Sequence, residues 1–137
     1  MNEKMNDTPA DLRYLTGITD GIFSENELEI LKEQISVHKY FVNQSIPWTI
    51  SWEDAVFSWY ENVFKPIVEV VDSWEVRNAF TSSTQNRLYL DISNHWYYLL
   101  EKDPQTFAGY AAIHYAATYG KGLGSWLSKL SLSTKAA

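Results

Sequence analysis

The chain contains no cysteine, and that absence removes disulfide frameworks, thiolate metal ligands and cysteine nucleophiles together. No apolar run approaches the length of a membrane span, and the opening stretch from Met1 to Asp11 is polar, without an apolar signal core. A cytoplasmic address, with no membrane partner, is therefore the expectation. Basic charge is also scarce: 11 Lys and Arg face 17 Asp and Glu, for a formal charge of −6. An acidic body repels phosphate backbones, so nucleic acid is not an expected partner. Among the six glycines, Gly120, Gly122 and Gly124 have the only close spacing. They lack the preceding strand and following helix start of a dinucleotide site, and no cofactor is expected.

What the chain has in quantity is aromatic surface, with six Trp, nine Tyr and six Phe in 137 residues. Such side chains carry a large apolar area, and each buried Trp or Tyr must find a partner for its N–H or O–H. The length suits a single domain over residues 1–137, one that buries roughly two-thirds of its unfolded surface without needing a metal or cross-link.

The periodicity is helical throughout. Thr8-Pro9 reads as a cap and first helical residue, opening a short helix to about Gly17 that can bury Leu12 and Leu15. Ser24 and Glu27 form a capping box ahead of Leu28, Leu31, Ile35, His38 and Val42, which predicts a helix over 24–43. A Pro47 loop follows, with Ile46 and Trp48 expected to turn inward. Ser51 caps the next helix, whose stripe is Trp52, Val56, Trp59, Val63, Ile67, Val70 and Trp74. Pro66 lies inside that stripe and predicts a kink near Asn62 to Lys65. Ser82 to Thr84 caps a third long helix ending at Asp103-Pro104. Thr106 is expected to cap a fourth over 107–119, with Gly120 in a left-handed terminal conformation. The fold class is all-α.

Sliding the chain on itself by 57 positions matches Phe23, Leu31, Ile35, Ser36, His38, Tyr40, Pro47, Thr49 and Ala55 with identical residues at 80, 88, 92, 93, 95, 97, 104, 106 and 112. Chance would give about two such identities. The chain thus reads as two diverged copies of one helical hairpin, over 23–74 and 80–119. Together they are expected to form a four-helix core of approximate twofold symmetry flanked by short helices.

The stretch from Ser51-Trp52-Glu53-Asp54-Ala55-Val56 through Trp59-Tyr60, Asn62-Val63-Phe64 and Pro66 resembles a helical module of uncharacterised bacterial proteins. That module's motif runs S-W-E-[DE]-A-V-x-x-W-Y-x-N-V-[YF]-x-P. Its downstream pattern is matched here by Phe80, Thr84, Leu88-Tyr89-Leu90 and His95-Trp96-Tyr97, while Thr81 to Ser83 replace its Pro-Gly-Arg. The resemblance implies an accessory helical domain, found in some proteins beside a ParB-like regulatory domain. It brings no catalytic residues.

Candidate chemistry is thin. His38 and His95 occupy equivalent positions of the two copies, so they could meet and hold a metal. Histidines hydrogen-bonded within a core explain the same pattern. Glu53 and Asp54 could act as paired acids, but the first turn behind Ser51 is where carboxylates cap free amides. Residues 121–137 hold Lys121, Lys129 and Lys135 and no acid, and Leu123, Trp126, Leu127 and Leu130 make an apolar stripe among them. This amphipathic tail could fold back on its own bundle, bind a partner groove or a second copy, or lie on a membrane surface, and it is the candidate partner-binding element. The expected function is a non-catalytic interaction or regulatory module acting through protein partners or self-association. The alternative is a helical protein that binds a small ligand or metal between its repeats.

Overall fold

A computed structural model describes residues 9–120. The elements are α1 (Pro9–Ile18), α2 (Glu25–Ser45), α3 (Trp52–Trp59), a π-helical turn (Tyr60–Phe64), α4 (Lys65–Val71), α5 (Trp74–Ala79), α6 (Gln85–Lys102) and α7 (Ala108–Tyr119). No strand occurs among the described residues, and none of their helices is long and apolar enough to cross a membrane. The expected cap at Thr8 and the tail residues Leu123, Trp126, Leu127 and Leu130 lie outside the described residues. The chain divides into two compact units after Phe57, inside α3 and within the first repeat copy.

In the first unit, α1 ends where Asp20 and Gly21 enter the left-handed region at φ 58° and 67°. Gly21 N–H returns to the Thr16 carbonyl at 2.9 Å, closing the helix. The capping box of α2 is complete: Glu27 N–H donates to Ser24 Oγ at 3.3 Å, and Ser24 N–H donates to Glu27 Oε1 at 2.8 Å. Two otherwise orphaned amides are thereby satisfied. Leu28, Leu31 and Ile35 are buried along α2, while His38 and Val42 are half-buried. The loop after α2 departs from expectation at one residue. Ile46 is half-buried, but Trp48 faces water, because Ile50 N–H is tied back to Asn43 Oδ1 at 2.9 Å and the turn this makes carries Trp48 outward.

In the second unit, α4 packs against both α6 and α7, and those two pack against each other. Trp59, Val63, Phe64, Ile67 and Val71 are buried on one side; Leu88, Tyr89, Ile92, Ala111, Ala112 and Ala116 meet the same interior. Each large apolar side chain so buried contributes roughly 1.5–3 kcal/mol. The small residues of α7 let backbones approach, and a Cβ on Gly109 would lie 3.5 Å from Pro66 Cβ. Trp59 and Tyr89 satisfy each other, the indole N–H donating to the phenol oxygen. No buried side-chain nitrogen or oxygen among the described residues lacks a partner.

The expected kink takes the form of the π turn. Pro66 has no amide proton, and its ring would crowd the Asn62 carbonyl in a regular helix. The turn widens instead, and Lys65 N–H reaches back five residues to the Tyr60 carbonyl. Asn62 Nδ2 donates to the Ser58 carbonyl at 2.9 Å, occupying one acceptor of the disturbed stretch.

Three further expectations are corrected. Trp74 is 69% exposed rather than the end of the stripe, because Ser73 adopts an extended conformation and restarts the chain as α5 in a new phase. Thr106 does not cap α7; Phe107 holds that position, and Thr106 Oγ1 donates to the Asp103 carbonyl at 2.7 Å. Gly120 is extended, at φ −86° and ψ 161°, not left-handed. It is required there for space: a Cβ would lie 2.6 Å from the Ala116 carbonyl oxygen and 3.2 Å from the Phe80 ring.

Candidate functional site

The hairpin of α6 and α7 carries the main polar constellation. Thr84 starts α6 by accepting from Arg87 N–H at 3.3 Å. At the far end, Trp96 Nε1 donates to the Thr106 carbonyl at 2.9 Å and pins the connecting turn. Residues equidistant from that turn come to lie opposite each other. His95 and His114 are such a pair, equally far in sequence from the Pro104–Gln105 bond.

His95 Nε2 and His114 Nδ1 are 2.9 Å apart. The ring centroids are 5.1 Å apart and the planes differ by 19°. Once the nitrogen–nitrogen distance is taken out, little more than the two ring radii is left. The imidazoles therefore meet edge to edge, nearly coplanar, and are not stacked face to face. One nitrogen donates and the other accepts, so the neutral pair has one proton between its facing atoms.

Aromatic rings frame both imidazoles. Tyr98, Tyr115 and Tyr119 surround His95 at centroid distances of 6.2, 5.6 and 6.3 Å, and Tyr110 lies 5.8 Å from His114. Lys102 Nζ sits 4.9 Å over the Tyr98 ring. Burial lowers the His95 pKa below its ordinary value, and repulsion from His114 lowers it further. Burial raises that of Tyr115, as do Asp91 and Tyr119, with Arg87 opposing. Asp91 is held 3.4 Å from Arg87 Nε along the outer face of α6. Asp91, Asn94, His95, Tyr115 and Tyr119 line a shallow depression of about 450 Å³ that opens His95 to solvent.

His38 stands in the first unit, half-buried on α2, and burial lowers its pKa as well. Asp54 N–H donates to Ser51 Oγ at 3.1 Å, and Glu53 and Asp54 both face water in the first turn of α3, where carboxylates complement the helix dipole. Ser93 is buried with its hydroxyl on the Leu90 carbonyl, and Ser36 is exposed. No group of three or more His, Asp or Glu converges among the described residues.

Sequence reasoning missed His114. The 57-residue repeat pairs that position with Phe57, so symmetry could not find it. The signal available was the hairpin itself, through the equal spacing of His95 and His114 from the Pro104–Gln105 bond. A second feature also escaped notice. In the first unit, Tyr40, Phe41 and Trp48 are 59%, 60% and 63% exposed, although aromatics were expected to fill the core. Tyr40 also borders a mixed-charge groove of about 740 Å³ with Glu29, Lys32, Glu33, Lys39 and Trp52.

No protein-family model matches the chain, and no curated protein or solved structure is significantly similar to it.

Proposed function

We propose that the protein is a non-catalytic helical interaction module that works through protein contacts. The observation that carries this reading is the aromatic end of α2: Tyr40 and Phe41, their rings edge to face at 5.5 Å, with Trp48 in the loop that follows. Large aromatic side chains held together in water mark recognition surfaces more often than idle ones. Aromatic residues also supply the dominant anchors of protein interfaces, since each buries much area while fixing few torsions. The groove beside Tyr40 adds charged groups of both signs, the usual composition of an interface rim. The motif-level resemblance to an accessory helical module supports the same reading.

The test uses the tagged full-length chain as bait in its source cells, beside a variant carrying Tyr40→Ser, Phe41→Ser and Trp48→Ser. The expected outcome is a protein partner recovered by the wild type and lost by the variant at equal helicity. Equal recovery by both, or no partner for either, overturns the reading.

A further inference from the structure

We propose that His95 and His114 form a two-imidazole binding site for a divalent transition-metal ion of the copper or nickel type. The two nitrogens come from different helices and face each other at 2.9 Å. With metal–nitrogen bonds of about 2.0–2.1 Å, ligands at a right angle lie about 2.9 Å apart, whereas tetrahedral ligands lie about 3.3 Å apart. The observed spacing, which is also that of the hydrogen bond between the rings, matches the right-angled edge of the square-planar or tetragonal coordination that Cu(II) and Ni(II) prefer.

Binding replaces the hydrogen bond between the rings, and each ring turns by about 45° so that its lone pair meets the ion. Each neutral imidazole carries its proton on the outer nitrogen, His95 Nδ1 or His114 Nε2, which leaves a lone pair on both facing atoms. Each ring then tilts toward a shared point on the solvent side of the pair. The depression lined by Asp91, Asn94 and His95 gives an aqua ion a path to His95. Water completes the coordination, because no third protein ligand converges among the described residues. Asp91, one turn before His95 on the same helix, borders the entrance, its charge shared with Arg87.

The inference stands apart from the interaction reading and is tested separately. Tag-free full-length protein is titrated with Ni(II) by calorimetry, alongside His95→Ala, His114→Ala and His38→Ala. The expected result is one equivalent bound by the wild type and by His38→Ala, and lost in each of the other two. No binding by the wild type overturns the proposal. So does retention of the equivalent in His95→Ala or His114→Ala, or its loss in His38→Ala. A second measurement does not depend on how the variants fold: the paramagnetic resonance spectrum of wild-type protein with one equivalent of Cu(II). Splitting from two imidazole nitrogens is expected, and splitting from one or none overturns the assignment.

Discussion

Gly120 closes on the carbonyl of Ala116 so tightly that its own N–H donates to that oxygen at 2.7 Å, while a β-carbon on the same residue would stand 2.6 Å from it. Bond and exclusion share one oxygen. The end of α7 is therefore fixed by the absence of a side chain, and the Phe80 ring and Ala79 close the remaining space at 3.2 and 3.3 Å.

Gly120→Ala should therefore destabilise the chain by about 1–3 kcal/mol, the usual cost of forcing atoms into a filled site. The backbone angles there suit alanine, so the loss comes from crowding alone. Urea midpoints of the two proteins check this. An unchanged midpoint would mean that α7 ends elsewhere in solution.

Trp59 and Trp74 belong to one sequence stripe but should behave oppositely. Trp59 is fully buried against Phe64 and bonded to Tyr89, and Trp59→Ala should cost about 3–5 kcal/mol. Trp74 stands mostly in water on α5, and Trp74→Ala should fall within about 0.5 kcal/mol of wild type. Thermal or urea unfolding of the pair separates them. Comparable losses would restore Trp74 to the core.

The caps give a similar contrast. Ser24→Ala removes one half of a reciprocal capping box and should cost about 0.5–2 kcal/mol. Thr106→Ala removes no helix cap, only a hydroxyl bond to the Asp103 carbonyl on an exposed turn, and should cost clearly less. Unfolding midpoints would reverse in order if Thr106 were the true cap of α7.

Stability should fall at both ends of the pH scale. Burial keeps His38 below its ordinary value of 6.5, so the unfolded chain takes up a proton at a higher pH than the folded one. The stability gained is complete above 6.5 and is lost as pH drops through the folded value. Burial drives Tyr89 well above 10.0, so the unfolded chain loses that proton first and stability declines as pH rises past 10.0. Urea unfolding across pH checks both limbs, and His38→Gln should flatten the acid limb. An unaltered acid slope would assign it to other groups.

Much of the fold was legible because its signals are local. Ser24 with Glu27, Ser51 and Thr84 each start a helix through hydrogen bonds within three residues, and the spacing of Val56, Trp59, Val63 and Ile67 fixes a buried face. The failures share a cause. Trp48 and Trp74 follow breaks where one bond, Ile50 to Asn43, or one extended residue, Ser73, resets the direction of the chain, and hydrophobicity carries no record of that. Gly120 was placed by the common reason for a terminal glycine, when the actual one is the close approach of the Ala116 carbonyl, with Phe80 and Ala79, some forty positions earlier, closing the remaining space. His114 was invisible to a symmetry argument because its repeat mate is Phe57. The candidate site was half legible: one imidazole was named and its partner was not.

The π turn at Tyr60–Phe64 also bears on how this chain can change length. A helix that takes in one extra residue and keeps the alignment on either side forms such a widened turn. From Lys65 onward, the backbone follows the register of a helix one residue shorter. Removing exposed Glu61 or Asn62 would take out the inserted residue, leaving a proline kink in its place and Ile67 and Val71 facing inward. The same deletion inside α4 would rotate everything after it by about 100° and bring Glu69 toward the interior. The stretch from Tyr60 to Phe64 is thus where a deletion would be absorbed, and α4 is where it would not.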